Sequence, residues 1–170
     1  VGEKESFSGI ITFTPEGGSI LGEPYEFSVP RVEESTGDTK QDFEIRSGKD
    51  IGKKEAFLRR ENTINAVGYD PITGELYNPY NGLNDLKNKT MDLIDEKRFK
   101  EDPSRIVRAL QFQSRFGFTP SPRLVKVMKE MVESGVVDSV PNELWGKNFD
   151  KLMSKGVDFY QMFDFMRDTG

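Results

Sequence analysis

The chain has 170 residues, no cysteine, no histidine and a formal net charge of −5. That length suits one domain, or one small domain with an appendage. The composition excludes disulfide, thiol and imidazole chemistry, leaves carboxylates and carbonyls to hold any metal, and argues against a generic, uniformly basic nucleic-acid binder.

No apolar run approaches membrane length and no secretory leader is visible, so the reading is a soluble cytoplasmic protein without membrane contact. The chain opens on Val1 and stops abruptly at Gly170, which suggests a piece of something longer.

The first 46 residues read as β-rich. Phe7-Ser-Gly-Ile-Ile-Thr-Phe-Thr14 and Tyr25-Glu-Phe-Ser-Val29 are expected strands, and the Pro15-Glu-Gly-Gly18 turn between them suggests a hairpin. Residues 30–40 are polar and read as a mobile loop; Phe43-Glu-Ile45 adds a short extended piece. Residues 53–60 read as a short helix and 64–69 as a strand. Asp70-Pro-Ile-Thr-Gly74 is a turn, Glu75-Leu-Tyr77 its returning strand, and 82–89 a short helix.

From Asp102 the character is helical. Asp can cap free N–H groups and Pro103 suits the first helical position. Ile106, Ala109, Leu110 and Gln113 follow helical spacing up to Gly117. Ser121-Pro122 opens a second helix, stopped by Gly135. Pro141 opens a third, to Gly156, and 157–167 form a fourth. Trp145, Phe149, Phe159, Met162, Phe163, Phe165 and Met166 lie at helical spacing and are expected in the core.

Two stretches carry candidate chemistry. In Glu101-Asp-Pro-Ser-Arg-Ile-Val-Arg108, the residues Asp102, Arg105 and Arg108 are three apart and project to one side of a helix. One acceptor and two planar donor forks can read a nucleobase edge. A capped helix with surface arginines has the same spacing. In Arg59-Arg-Glu-Asn-Thr-Ile-Asn65, arginines can meet phosphate, and Glu61 and Asn65 can hold a ribose hydroxyl. A charged helix end running into a strand reads the same way. Glu26, between apolar neighbours on its strand, is a solvent-face carboxylate unless other carboxylates converge on it.

Taken in order, these pieces resemble the class II tRNA nucleotidyltransferases, a group shared with bacterial poly(A) polymerases. The carrying residues are Tyr25-Glu-Phe-Ser-Val-Pro-Arg31, Arg59 to Ala66, Tyr69-Asp-Pro71, Asn78-Pro-Tyr-Asn-Gly-Leu-Asn-Asp-Leu86 and Phe99 to Phe112. The resemblance implies an α+β protein. Residues 1–100 would be the C-terminal part of a polymerase-β-like head with a partial sheet, and 101–170 an all-helical neck. It implies Mg2+-dependent transfer of CMP or AMP from CTP or ATP to the 3′ end of tRNA or another RNA. Asp102, Arg105 and Arg108 would select the nucleotide, Arg60, Glu61 and Asn65 would contact ribose and triphosphate, and Glu26 would be a catalytic metal ligand.

Five departures stand out. The family's Gly-Gly-x-x-Arg-Asp and Asp-x-Asp motifs are not in this chain, so a complementary N-terminal half is an expected partner. Glu61 stands where the pattern has Asp, Asn62 where it has Phe, Asn78 where Asp is usual, and Leu144 where an Arg is common in the neck. Besides poly(A) polymerase, the alternatives are a non-catalytic nucleotide- or RNA-binding subunit of a split enzyme and a degenerate structural protein.

Overall fold

The structure is a computed structural model and describes residues 4–5, 10–15, 24–35, 43–48, 50–157 and 159–170. Contacts divide the chain into two units, residues 1–56 and residues 57–170.

The first unit is built from β-hairpins. Strands β1 (Lys4–Glu5), β2 (Ile10–Phe13) and β3 (Tyr25–Ser28) form an antiparallel sheet, with Thr12 opposite Glu26 and Phe13 opposite Tyr25. The expected β2–β3 pairing is present; residues 16–18 of its turn lie outside the described residues. Strands β4 (Arg31–Ser35) and β5 (Phe43–Ser47) form a second antiparallel pair. The loop expected from residue 30 thus begins as a strand. Its polar composition hid the one apolar position, Val32, which is buried; the loop's residues 36–40 lie outside the described residues. Helix α1 (Lys53–Phe57) follows.

The second unit begins with a departure from expectation. The strand expected at 64–69 is a 3-10 turn, Thr63–Asn65, before the two-residue β6 (Gly68–Tyr69). Here local bonds outcompete extension. The Asn65 and Ala66 N–H groups donate back to the Asn62 and Thr63 carbonyls, and the Asn65 carboxamide accepts from the Asn62 N–H. Strand β7 (Leu76–Tyr77) pairs antiparallel with β6 across the expected turn, where the Asp70 carboxylate accepts from Ile72 and Thr73.

Helix α2 (Gly82–Asn88) then packs against the 3-10 turn. Strand β8 (Thr90–Met91) and helix α3 (Glu96–Glu101) lead to helix α4 (Ser104–Phe116). Strand β9 (Thr119–Pro120) pairs parallel with β8. Helices α5 (Pro122–Glu133), α6 (Asn142–Lys155) and α7 (Phe159–Thr169) complete the chain. Their starts obey local chemistry: Asp95 caps α3 and Ser121 caps α5 with their side-chain oxygens. Gly117 ends α4 with φ 61°.

One core runs through this unit. Met91, Leu93, Phe99, Ile106, Leu110, Leu124, Met128, Leu152, Met162 and Phe165 belong to it. It takes in residues before and after position 101. Of the aromatic and methionine residues expected in the core, Met162 and Phe165 are buried, whereas Phe149, Phe163 and Met166 are exposed. Amphipathic helices bury one stripe, and these three lie off it.

No helix among the described residues is long and apolar enough to cross a membrane.

Gly82 sets how closely α2 approaches the turn. A Cβ there would lie 2.1 Å from the Thr63 carbonyl oxygen. Gly82→Ala is expected to lower stability by about 1–3 kcal/mol through overpacking. Gly146, exposed within α6 with open space around it, is the contrast; Gly146→Ala should raise stability by roughly 0.5–1 kcal/mol. Thermal or urea melts of both variants measure this, and equal effects would show that the turn yields to α2.

Candidate functional site

Asp102 starts α4 in two ways. Its backbone is extended, with φ −126° and ψ 99°, and its carboxylate Oδ1 accepts from the Ser104 N–H at 2.9 Å and the Ser104 hydroxyl at 2.6 Å. Pro103 already has helical φ and ψ. This is the cap the sequence implies, and it holds the carboxylate at the mouth of the helix.

One turn on, Arg105 is half-buried. Its Nη2 donates to the Arg59 carbonyl at 3.1 Å. Burial pulls its pKa below the ordinary arginine value; Asp102 and Glu61 act in the opposite sense and Arg108 adds to the lowering. The group stays protonated at any ordinary pH, with further N–H donors beyond the one held by Arg59.

A further turn on, Arg108 meets Glu61. Its Nε and Nη2 lie 3.1 and 2.9 Å from Oε1 of Glu61. The carboxylate end of this pair is buried, at 2% exposure, while the Arg108 side chain is 44% exposed. The structure thus brings Asp102, Arg105, Arg108, Arg59 and Glu61 together. It places Glu61 against Arg108, where a contact with a ribose hydroxyl was expected. Arg60 is half-exposed beside them, and Asn65 closes the 3-10 turn.

A second polar set braces the segment from behind. The Thr63 hydroxyl donates to Oδ2 of Asp85 at 2.5 Å, and the Thr63 N–H to the Asp92 carbonyl at 2.9 Å. The Asp92 carboxylate accepts from the Ser121 hydroxyl at 2.6 Å and from Arg123 at 3.1 Å. Sequence reasoning missed Asp85 and Asp92 as supports, because their partners stand 22 and about 30 residues away with no local spacing to betray them.

Glu26 belongs to the chain's first unit. It is exposed on β3, opposite Thr12. Among the described residues no group of three or more carboxylates could hold a metal ion. A Mg2+ centre needs converging oxygen donors, and the described residues do not form one around Glu26.

Asn62 is fully buried, and neither its carboxamide oxygen nor its nitrogen has a hydrogen-bond partner among the described residues. The pattern this chain resembles has Phe at this position. Asn62→Leu is expected to stabilise the protein by about 1–3 kcal/mol, the usual penalty of an unpaired buried polar group. A lowered denaturation midpoint would mean that the amide has found a partner.

The family model described as the poly A polymerase head domain matches residues 4–92. A multifunctional CCA protein of Acinetobacter baumannii (strain AYE) is 33% identical over 149 residues, covering 85% of this chain and 35% of the relative. One from Xanthomonas oryzae pv. oryzae is 37% identical over 124 residues, 71% of this chain and 30% of the relative. The chain therefore spans about a third of the length of the curated relatives it matches. Among solved structures, a CCA-adding enzyme in complex with CTP is 26% identical with a TM-score of 0.62, covering 69% of this chain and 28% of that one. The Bacillus stearothermophilus CCA-adding enzyme in complex with CTP has a TM-score of 0.75 at 21% identity, covering 95% of this chain and 36% of that one, a likeness of fold.

Proposed function

This chain belongs to the poly(A) polymerase head-domain family, and from that premise we propose that it carries the nucleotide-selecting part of a tRNA CCA-adding nucleotidyltransferase. The reaction would move CMP or AMP from CTP or ATP onto an RNA 3′ hydroxyl and release pyrophosphate. The observation that carries this reading is the placement of Asp102 and Arg105 one turn apart at the start of α4, both held in place.

Cytosine and adenine each present an amino donor beside a ring-nitrogen acceptor. Uracil and guanine present a carbonyl acceptor beside a ring N–H. A carboxylate next to a guanidinium offers acceptor beside donor, which complements the first pair and opposes the second. Asp102 would accept from the amino group and Arg105 donate to the ring nitrogen. Both groups are preset, so little ordering is left to oppose binding. Arg60 would meet the triphosphate and Asn65 the ribose.

Chemistry at the RNA hydroxyl requires a metal-binding carboxylate pair that the described residues do not supply. A complementary N-terminal segment carrying such a pair is the partner this reading requires, with Glu26 as a further carboxylate for Mg2+. The chain alone is then expected to transfer no nucleotide, and mixing it with that segment to restore transfer. In the restored enzyme Glu26→Gln should lower turnover far more than nucleotide affinity; unchanged turnover would return Glu26 to the solvent face of its strand.

The name of the matching family model favours a second reading, poly(A) addition. Extension of tRNA ending in CC, set against extension of any RNA, separates the two.

Arg105 is the sharpest test. Arg105→Ala should cost about 1.5–3 kcal/mol, the value of a charge-assisted hydrogen bond, or roughly ten- to a hundredfold in nucleotide affinity. Preference for CTP and ATP over UTP and GTP should relax with it. Arg115, exposed further along α4 over the Phe116 ring, is the control. Competition binding with the four triphosphates reads both variants. If Arg105→Ala and Arg115→Ala behave alike, base reading by α4 is wrong.

A further inference from the structure

Resting on that reading, we propose that Glu61 is a positioning residue for nucleotide selection: its buried carboxylate sets the two arginines of α4 and does not touch the nucleotide.

The geometry at Glu61 leaves little room for a ligand. At 2% exposure its carboxylate is almost closed to solvent, and its Oε1 accepts both contacts from Arg108. A ribose hydroxyl could bond that oxygen only in competition with Arg108. A buried carboxylate without a counter-charge is costly, so Glu61 dictates where Arg108 goes.

Arg105 is tied into the same arrangement. It lies three residues before Arg108 on one helix face, and its donor lands on the carbonyl of Arg59, two residues before Glu61. The segment 59–61 therefore grips α4 at two successive turns. The charges point the same way: Glu61 favours the charged form of Arg105 while Arg108 disfavours it. With Glu61 neutral, the two guanidinium groups would repel across one turn with nothing between them. Arg108 would swing toward solvent and Arg105 would lose its fixed aim.

The test compares Glu61→Gln and Glu61→Asp in two assays. The first is 15N NMR of the arginine side-chain Nε–H groups in the chain itself, which needs no nucleotide. Glu61→Gln should shift the Arg105 and Arg108 resonances together and speed their exchange with water; Glu61→Asp, which keeps the charge, should largely preserve both. If only Arg108 moves, Arg105 is not set by Glu61 and the proposal falls. The second assay is competition binding of CTP against UTP and against dCTP. A positioning role predicts that Glu61→Gln relaxes CTP-over-UTP preference about tenfold and leaves the CTP-to-dCTP ratio unchanged. Collapse of the CTP-to-dCTP ratio with base preference intact would make Glu61 a ribose contact and overturn the proposal. Absence of any base preference in the unaltered chain would sink the nucleotide-selection reading instead, and the NMR arm would still decide whether Glu61 holds Arg105.

Discussion

The Glu61–Arg108 pair joins two segments that the chain keeps 47 residues apart. On one side is an irregular stretch with few internal bonds, residues 59–65. On the other is a regular helix, α4. A carboxylate buried in that setting has to be matched by a cation, and the cation has to come from a rigid element if the stretch is to hold one shape. Once Arg108 is committed to Glu61, Arg105 falls one turn away over the Arg59 carbonyl. The direction of the 59–65 backbone and the rotation of α4 about its axis then become one geometric fact.

Behind that contact, Asp92 serves as a second joint. Its carbonyl takes the N–H of Thr63, and its carboxylate takes the Ser121 hydroxyl and Arg123 at the start of α5. Arg123 also donates to the carbonyl of Leu93. Thr63 adds a bond to Asp85 on α2, which can approach because Gly82 has no side chain. The candidate site thus rests on a helix in front and a polar brace behind. Charged and hydroxyl groups do this work where apolar packing could not, because an irregular backbone carries polar groups that must be satisfied. Asn62 is the exception. It stands inside this frame with an unsatisfied amide, and nothing in the structure explains why an amide stands there.

The helical part shows a different logic. Met91, Phe99, Ile106, Leu124, Leu152 and Phe165 draw five helices and the short β8 strand into one core. That core fixes where α4 stands but makes no demand on which polar side chains it carries outward. The residues proposed to select the nucleotide stand at the polar edge of a helix whose apolar face is already occupied. Along α6 and α7 the same division leaves Phe149, Tyr160 and Phe163 exposed, so apolar periodicity alone overstated the core.

What the sequence determined by itself was local. Asp102-Pro103, Ser121-Pro122 and Gly117 announced the ends of helices because capping and φ preference act within a few residues. The three-residue spacing of Asp102, Arg105 and Arg108 put them on one side of α4 for the same reason. The tertiary structure decided the rest. Residues 63–65 turn instead of extending, through bonds within the turn that Thr63 anchors to Asp85 and Asp92, far along the chain. Polar residues 31–35 pair as a strand because a partner strand was available. Glu61 carries a buried carboxylate paired with Arg108, a contact that only the folded chain makes. An acidic side chain reads the same in a sequence whether it meets water, a ligand or an arginine; burial and partners decide its role, and both are properties of the fold.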